Sequence, residues 1–190
     1  VEVRELRVGH CYDSAAGVMR AAIVIPNNEW DRLKRVFRGG TLLVLDCETR
    51  PDGACREEFF DEMTTAANEA GLKVSSALAK PEGLRKSSAR DMVSLGQKEE
   101  AAFVLWVSLN GEFRGEVDGV LYAFANASIS LIETSDGQVQ KSEMEKDVKG
   151  AHYAEIQKMR YGPEAALEVA LKKAISALRE RMARWPSEGE

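Results

Sequence analysis

Two carboxylates, Asp46 and Glu48, stand two residues apart at the end of the apolar run Thr41-Leu42-Leu43-Val44-Leu45. Residues at that spacing on an extended strand point the same way. The pair therefore has the reach to hold a divalent cation, or simply to solvate the strand's exit. Cys11, Cys47 and Cys55, with His10 beside the first, carry donor atoms for a metal but lack C-x2-C or H-x3-H spacing. Cys47 and Cys55 bracket one loop and suit a disulfide in an oxidising compartment. Buried free thiols fit the same spacing, so both readings stay open. Neither His10 nor His152 lies in a nucleophile motif, and no serine sits in a G-x-S-x-G elbow. Gly111-Glu112-Phe113-Arg114-Gly115 lacks the spacing of a phosphate loop and leads into a strand. With no complete catalytic set, the chain reads as non-enzymatic, without cofactor or resident metal; Asp46 and Glu48 are the alternative metal ligands.

Charge narrows the partners. A net charge of −5 leaves no excess of Lys and Arg to neutralise phosphates, which argues against nucleic acid. The basic groups at Arg32, Lys34, Arg35 and Arg38, and at Arg179, Arg181 and Arg184, fall on predicted helices with acids nearby, as solvated faces do. Tyr122 and Phe124 alternate on a strand and could stack bases, but without a basic groove they fit core packing or an interface better. No apolar run approaches the roughly 18 residues of a membrane span. A membrane tether would therefore belong outside this segment, which begins at Val1 and reads as a trimmed piece.

These side chains must be positioned by a series of elements. At 190 residues, one full domain with an extension is expected. Residues 1–40 read as the extension: a weak strand over Val1–Val8, a loop over His10–Ala16, a strand over Ala21–Ile25 and a short helix from Asn27 to Phe37. That extension has the option of joining the main sheet. Residues 41–184 read as one α/β (α+β) domain. Thr41–Cys47 is a strand buried on both faces, and 56–70 a helix with Phe59, Phe60, Met63, Ala66, Ala67 and Ala70 on one side and Gly71 as its stop. Leu72–Ser75 is a short strand, and Ser88–Asp91 a capping box opening a helix. Ala101–Val107 is a second central strand. Gly111, Gly115 and Gly119 then predict a loose connection. Val120–Ile132 alternates, with Leu121, Ala123, Ala125, Ala127, Ile129 and Leu131 on one face and Tyr122, Phe124, Asn126, Ser128 and Ser130 on the other. Ser135-Asp136-Gly137 predicts a hairpin turn, and 138–148 a polar strand at a sheet edge. Pro163 opens a last helix striped by Leu167, Leu171, Ala174, Ile175, Leu178 and Met182, and 185–190 reads as a tail. The order β-α-β-α-β-β-β-α requires a mixed sheet with helices packed on it.

Two resemblances bear on function. Leu43-Val44-Leu45-Asp46-Cys47-Glu48-Thr49 resembles the first motif of the DnaQ-like 3′–5′ exonucleases, which implies Mg²⁺ held by Asp46 and Glu48. The match ends there, because a helix follows where that family has further strands and neither histidine has its acid partner. The second half is similar to a group of bacterial envelope domains: the TolB amino-terminal domain, the curli-secretion lipoprotein and the lipoprotein activators of penicillin-binding proteins. The resemblance rests on Leu95-Gly96, on the strand from Glu100 to Val107 and on Ser130 to Val139, in element order over about 41–183. Glu100-Ala101-Ala102-Phe103 replaces that group's usual Ala-Asp-Tyr, and Ser135-Asp136-Gly137 its Thr-Gly turn. The resemblance implies a TolB-like fold and a periplasmic or envelope location, with cytoplasmic residence still open. It also implies a non-enzymatic role in docking a protein partner or in self-association. The edge strand would carry such contacts, through Val139, Lys141, Glu143 and Met144. A metal-dependent nuclease, and a small-ligand sensor with its pocket at the strand ends, are the alternatives.

Overall fold

A computed structural model describes residues 7–13, 18–24, 40–52, 55–79 and 88–185. The chain divides into two compact units, Val1–Arg38 and Gly39–Glu190. In the first unit, β1 (Arg7–Asp13) and β2 (Val18–Val24) form an antiparallel pair, with Arg7 opposite Val24 and Asp13 opposite Val18. His10–Asp13, expected as loop, is thus strand. Ladder hydrogen bonds to β2 hold it extended where the side-chain pattern gave no signal. The helix expected over 27–37 lies outside the described residues.

In the second unit the elements run β3 (Thr41–Arg50), α1 (Glu58–Glu69), β4 (Val74–Ala79), α2 (Ala89–Lys98), β5 (Phe103–Val117), β6 (Val120–Glu133) and β7 (Val139–Tyr153). A two-residue pair, β8 (Glu155–Ile156) and β9 (Met159–Arg160), precedes α3 (Pro163–Met182). The five long strands make one sheet in the order β4-β3-β5-β6-β7. β3 runs parallel to both its neighbours because α1 and α2 are crossover connections. β5, β6 and β7 are an antiparallel meander. The result is a mixed α/β sheet with three helices on it, in the order expected plus the small β8–β9 hairpin.

Local chemistry accounts for most boundaries. The Ser88 hydroxyl accepts from the Asp91 N–H, and the Asp91 carboxylate accepts from the Ser88 N–H at 3.0 Å, so both capping donors are satisfied. That pairing, led by the Ser88 side chain, holds the Asp91 carboxyl below its ordinary range. Pro163 takes the first turn of α3, where its missing N–H costs nothing. The Asp136 carboxylate accepts from the Gln138 N–H at 2.9 Å in the β6–β7 turn.

The expected loose connection after Val107 is instead strand. β5 runs on to Val117, with a register shift near Gly115. Asp118 and Gly119, at φ +52° and +74°, form the two-residue turn into β6. Glycine there meets a left-handed backbone that a tight hairpin demands. Trp185, expected to begin the tail, is buried against the core.

Strand alternation then splits the sheet into two faces. Leu43, Leu105, Val107, Leu109, Ala125 and Ile129 point to the side covered by α1 and α3 and belong to the larger core. The other side has a smaller core, where Leu42, Val44, Val104 and Ile132 meet Met92 of α2. On the first side the approach of α3 is close: a Cβ at Gly150 would run into the Ala166 carbonyl and the Ala170 backbone. Charges at the rim hold the helices. Arg179 makes a bidentate contact with Glu69, joining α3 to α1. Arg181 reaches Glu143 at 3.0 Å, and also Glu145, on β7. Lys172 bridges Glu58 and Glu168 at 2.9 and 3.0 Å. The hydrogen bond from Lys172, and then that from Arg56, hold the Glu168 carboxyl below its usual range.

Candidate functional site

The second face of the sheet offers the chemistry that the first does not. Among the described residues, α2 covers only its end near Val104 and Ile132. Beyond that end, the strand register sets out rows of side chains across β5, β6 and β7. Trp106 lies beside Ser130 and Ser142, and Ser108 beside Ser128 and Met144. Asn110 then faces Asn126, and Glu112 faces Phe124 and Lys149. Past the Gly115 shift, Val117, Val120 and Tyr153 close the series. Leu, Ile and Val dominate the helix-covered side, whereas hydroxyls, amides and aromatic rings dominate here. The polar groups are organised: Ser130 and Ser142 hydroxyls lie 3.1 Å apart, and the Asn110 amide donates to the Ser108 hydroxyl at 3.3 Å. Lys149 places its ammonium 4.3 Å from the Tyr122 ring centre, a cation–π contact. The indole N–H of Trp106 is buried with no hydrogen-bond partner.

A cavity of about 490 Å³ opens at the carboxyl end of β3, against β5 and β6. Its wall on the β3 side runs from Cys47 to Asp52. Cys47 is joined to Cys55 by a disulfide, with their Cα atoms 6.1 Å apart. The two cysteines left open by the sequence are therefore paired, and the bond ties the loop shortly before α1 back to the strand.

Asp46 and Glu48 both point toward this face, next to Ser108 and Asn110 on β5. Asp46 is buried and Glu48 exposed, and each is engaged in interactions. Glu48 lines the cavity. Among the described residues, no three His, Cys, Asp or Glu side chains gather where a metal ion would sit. The four candidates on β7 separate by alternation. Val139 and Met144, each about half exposed (51 and 52 %), lie on the side of the uncovered face. Lys141 and Glu143 lie on the α3 side, where Glu143 holds Arg181. Sequence reasoning did not gather Asn110, Glu112, Arg114, Phe124 and Asn126 into one site. The signal was present in the second face of β6, but which face lacks a helix is not written locally.

Comparison with known proteins adds likenesses of structure. No family model matches the chain, and no curated protein matches it by sequence. Among solved structures it is similar to the lipoprotein GNA1162 from Neisseria meningitidis, with 13 % identity over 76 % of this chain and 99 % of that one, at a TM-score of 0.43. It is also similar to a PelC dodecamer subunit from Paraburkholderia phytofirmans (17 % identity, 75 and 89 % covered, TM-score 0.36). A third is the LpoB carboxyl-terminal domain from Salmonella enterica (15 % identity, 60 and 83 % covered, TM-score 0.28). No helix among the described residues is long and apolar enough to cross a membrane.

Proposed function

We propose that this chain is an extracytoplasmic domain of the cell envelope that docks an extended protein segment along β7, without catalysing a reaction. The disulfide supports the location, because such bonds persist outside the reducing cytoplasm. The docking role is carried by one observation: β7 ends the sheet and shows Val139 and Met144 to solvent while its other side is fastened to α3. A sheet edge offers backbone donors and acceptors to an added strand, and its alternate side chains supply selectivity. The usable stretch is short. It begins after the turn at Gly137 and ends at the register shift near Asp147, whose φ of +53° bends the strand away. That leaves about Val139 to Glu145.

A photo-crosslinking side chain at Val139 or Met144, in cells making the full protein, should trap a protein band that the same group at Ser176 on α3 does not. Equal labelling at all three positions, or none at 139 and 144, rejects the reading. Should the trapped band be a second copy of this chain, the edge serves self-association instead.

A further inference from the structure

We infer that the cavity at the carboxyl end of β3 is a saccharide-binding site. This inference stands apart from docking along β7, since the cavity is lined mainly from β3, β5 and β6 and touches β7 only at Asp147, outside the docking stretch. A volume of about 490 Å³ falls within the range of small-ligand pockets, roughly 300–1,000 Å³. The lining combines Arg50, Asn110, Glu112, Arg114, Phe124 and Asn126. Three strands hold these groups in register: Arg50 beside Glu112, Glu112 beside Phe124, and Asn110 beside Asn126.

The mixture of groups selects the ligand. Carboxylates only accept hydrogen bonds, guanidiniums only donate, and side-chain amides do both. A phosphate or other anion would meet Glu48, Asp52, Glu112 and Asp147 around the same space. A polyamine would meet Arg50 and Arg114. Within the lining the charges already satisfy one another in part, as Arg114 and Glu112 pair at 3.0 Å. A neutral ligand with closely spaced hydroxyls meets no such opposition, because each hydroxyl both donates and accepts. The half-buried Phe124 ring adds an apolar surface on which the C–H face of a sugar ring can lie.

Two further features fit the same class. The amides are set in place before any ligand arrives: Asn126 accepts from the Asp147 N–H at 2.9 Å, and Asn110 donates to Ser108. Beyond the cavity, the uncovered face continues as the hydroxyl rows of Ser108, Ser128, Ser130 and Ser142. A chain of several sugar rings would therefore leave the cavity along a hydroxyl-lined track, with Asp46 beside Ser108 at its border. The source is either a free oligosaccharide or a glycan polymer, and the chemistry of recognition is shared.

The test is an NMR titration of the intact protein with chitotriose, cellotriose and maltotriose, alongside inorganic phosphate and spermidine. A parallel pull-down uses insoluble chitin, cellulose and peptidoglycan. At least one saccharide should shift the amide resonances of Asn110 and Asn126, and Phe124→Ala should weaken that binding about tenfold or more. Phe124→Trp should keep it, and Ser176→Ala on the exposed side of α3 should leave it unchanged. Retention only in the pull-down identifies a polymer; shifts with the soluble sugars identify short chains. If Phe124→Ala fails to fold, Glu112→Gln reads the same site and should also weaken binding. Saccharide silence in both arms overturns the inference, as does binding of phosphate or spermidine at Asn110 and Asn126 in place of sugar.

Discussion

The two faces of the sheet are built from the same strands and put to different uses. On the side of α1 and α3, β6 contributes Ala123, Ala125, Ala127 and Ile129, all fully or almost fully buried. One residue along, the same strand contributes Tyr122, Phe124, Asn126 and Ser128, which are half-buried or exposed. Small side chains on the first side let α3 approach closely, as the collision awaiting a side chain at Gly150 shows. Among the described residues only α2 covers the second side, and the residues beyond it are polar or aromatic rather than the aliphatic ones that fill volume. A buried apolar face and a more open polar one are thus separated by the alternation of a single strand.

This contrast can be broken or sharpened by measurement. The largest effect should come from Leu171→Ala, which empties a fully buried site between α3 and the sheet. It should lower unfolding free energy by about 3 kcal/mol in denaturant titration, and a loss near zero would mean that the α3 side is not the main core. A smaller effect belongs to the rim charges. Glu168 has its carboxyl pKa lowered in the fold, first by Lys172 and then by Arg56. Its contribution is therefore full above the ordinary glutamate pKa and is lost as pH falls through the depressed value. Because the groups are partly exposed, that loss should be under about 1 kcal/mol and should shrink in high salt. Glu168→Gln should remove this part of the acid sensitivity. The smallest effect is expected on the open face, where Met144→Ser should change stability by no more than about 0.5 kcal/mol while altering capture at β7. A loss comparable to that of Leu171→Ala would show that the face is structural after all.

Much of the fold was legible because its signals are local. Ser88 and Asp91 specify a cap within four residues, Pro163 a helix start, and the alternation from Val120 to Ile132 a strand with two distinct faces. The failures share a cause as well. His10–Asp13 and the stretch after Val107 are strands because a neighbouring strand bonds to them, and that partner is not encoded in their own pattern. Gly111 suggests a break by type, yet it lies buried within β5, where a Cβ would meet the Leu167 side chain at 3.1 Å. The site was less legible than the fold. Glu48, Asn110 and Phe124 come from three strands, and only the sheet order places them around one cavity. Asp46 and Glu48 drew attention as a pair, whereas the cavity takes Glu48 together with residues that carry no motif at all.

The sheet order has a consequence for how the chain must close on itself. β5, β6 and β7 are joined by tight turns, so each finds its neighbour a few residues away. β3 instead places Thr41 beside Phe103, with α1, β4 and α2 looped out between them. Closing a long loop costs more chain entropy than closing a short one, and that cost comes before the contacts that repay it. The pairing of β3 with β5, the middle strand of the sheet, is therefore the one that asks most of the chain.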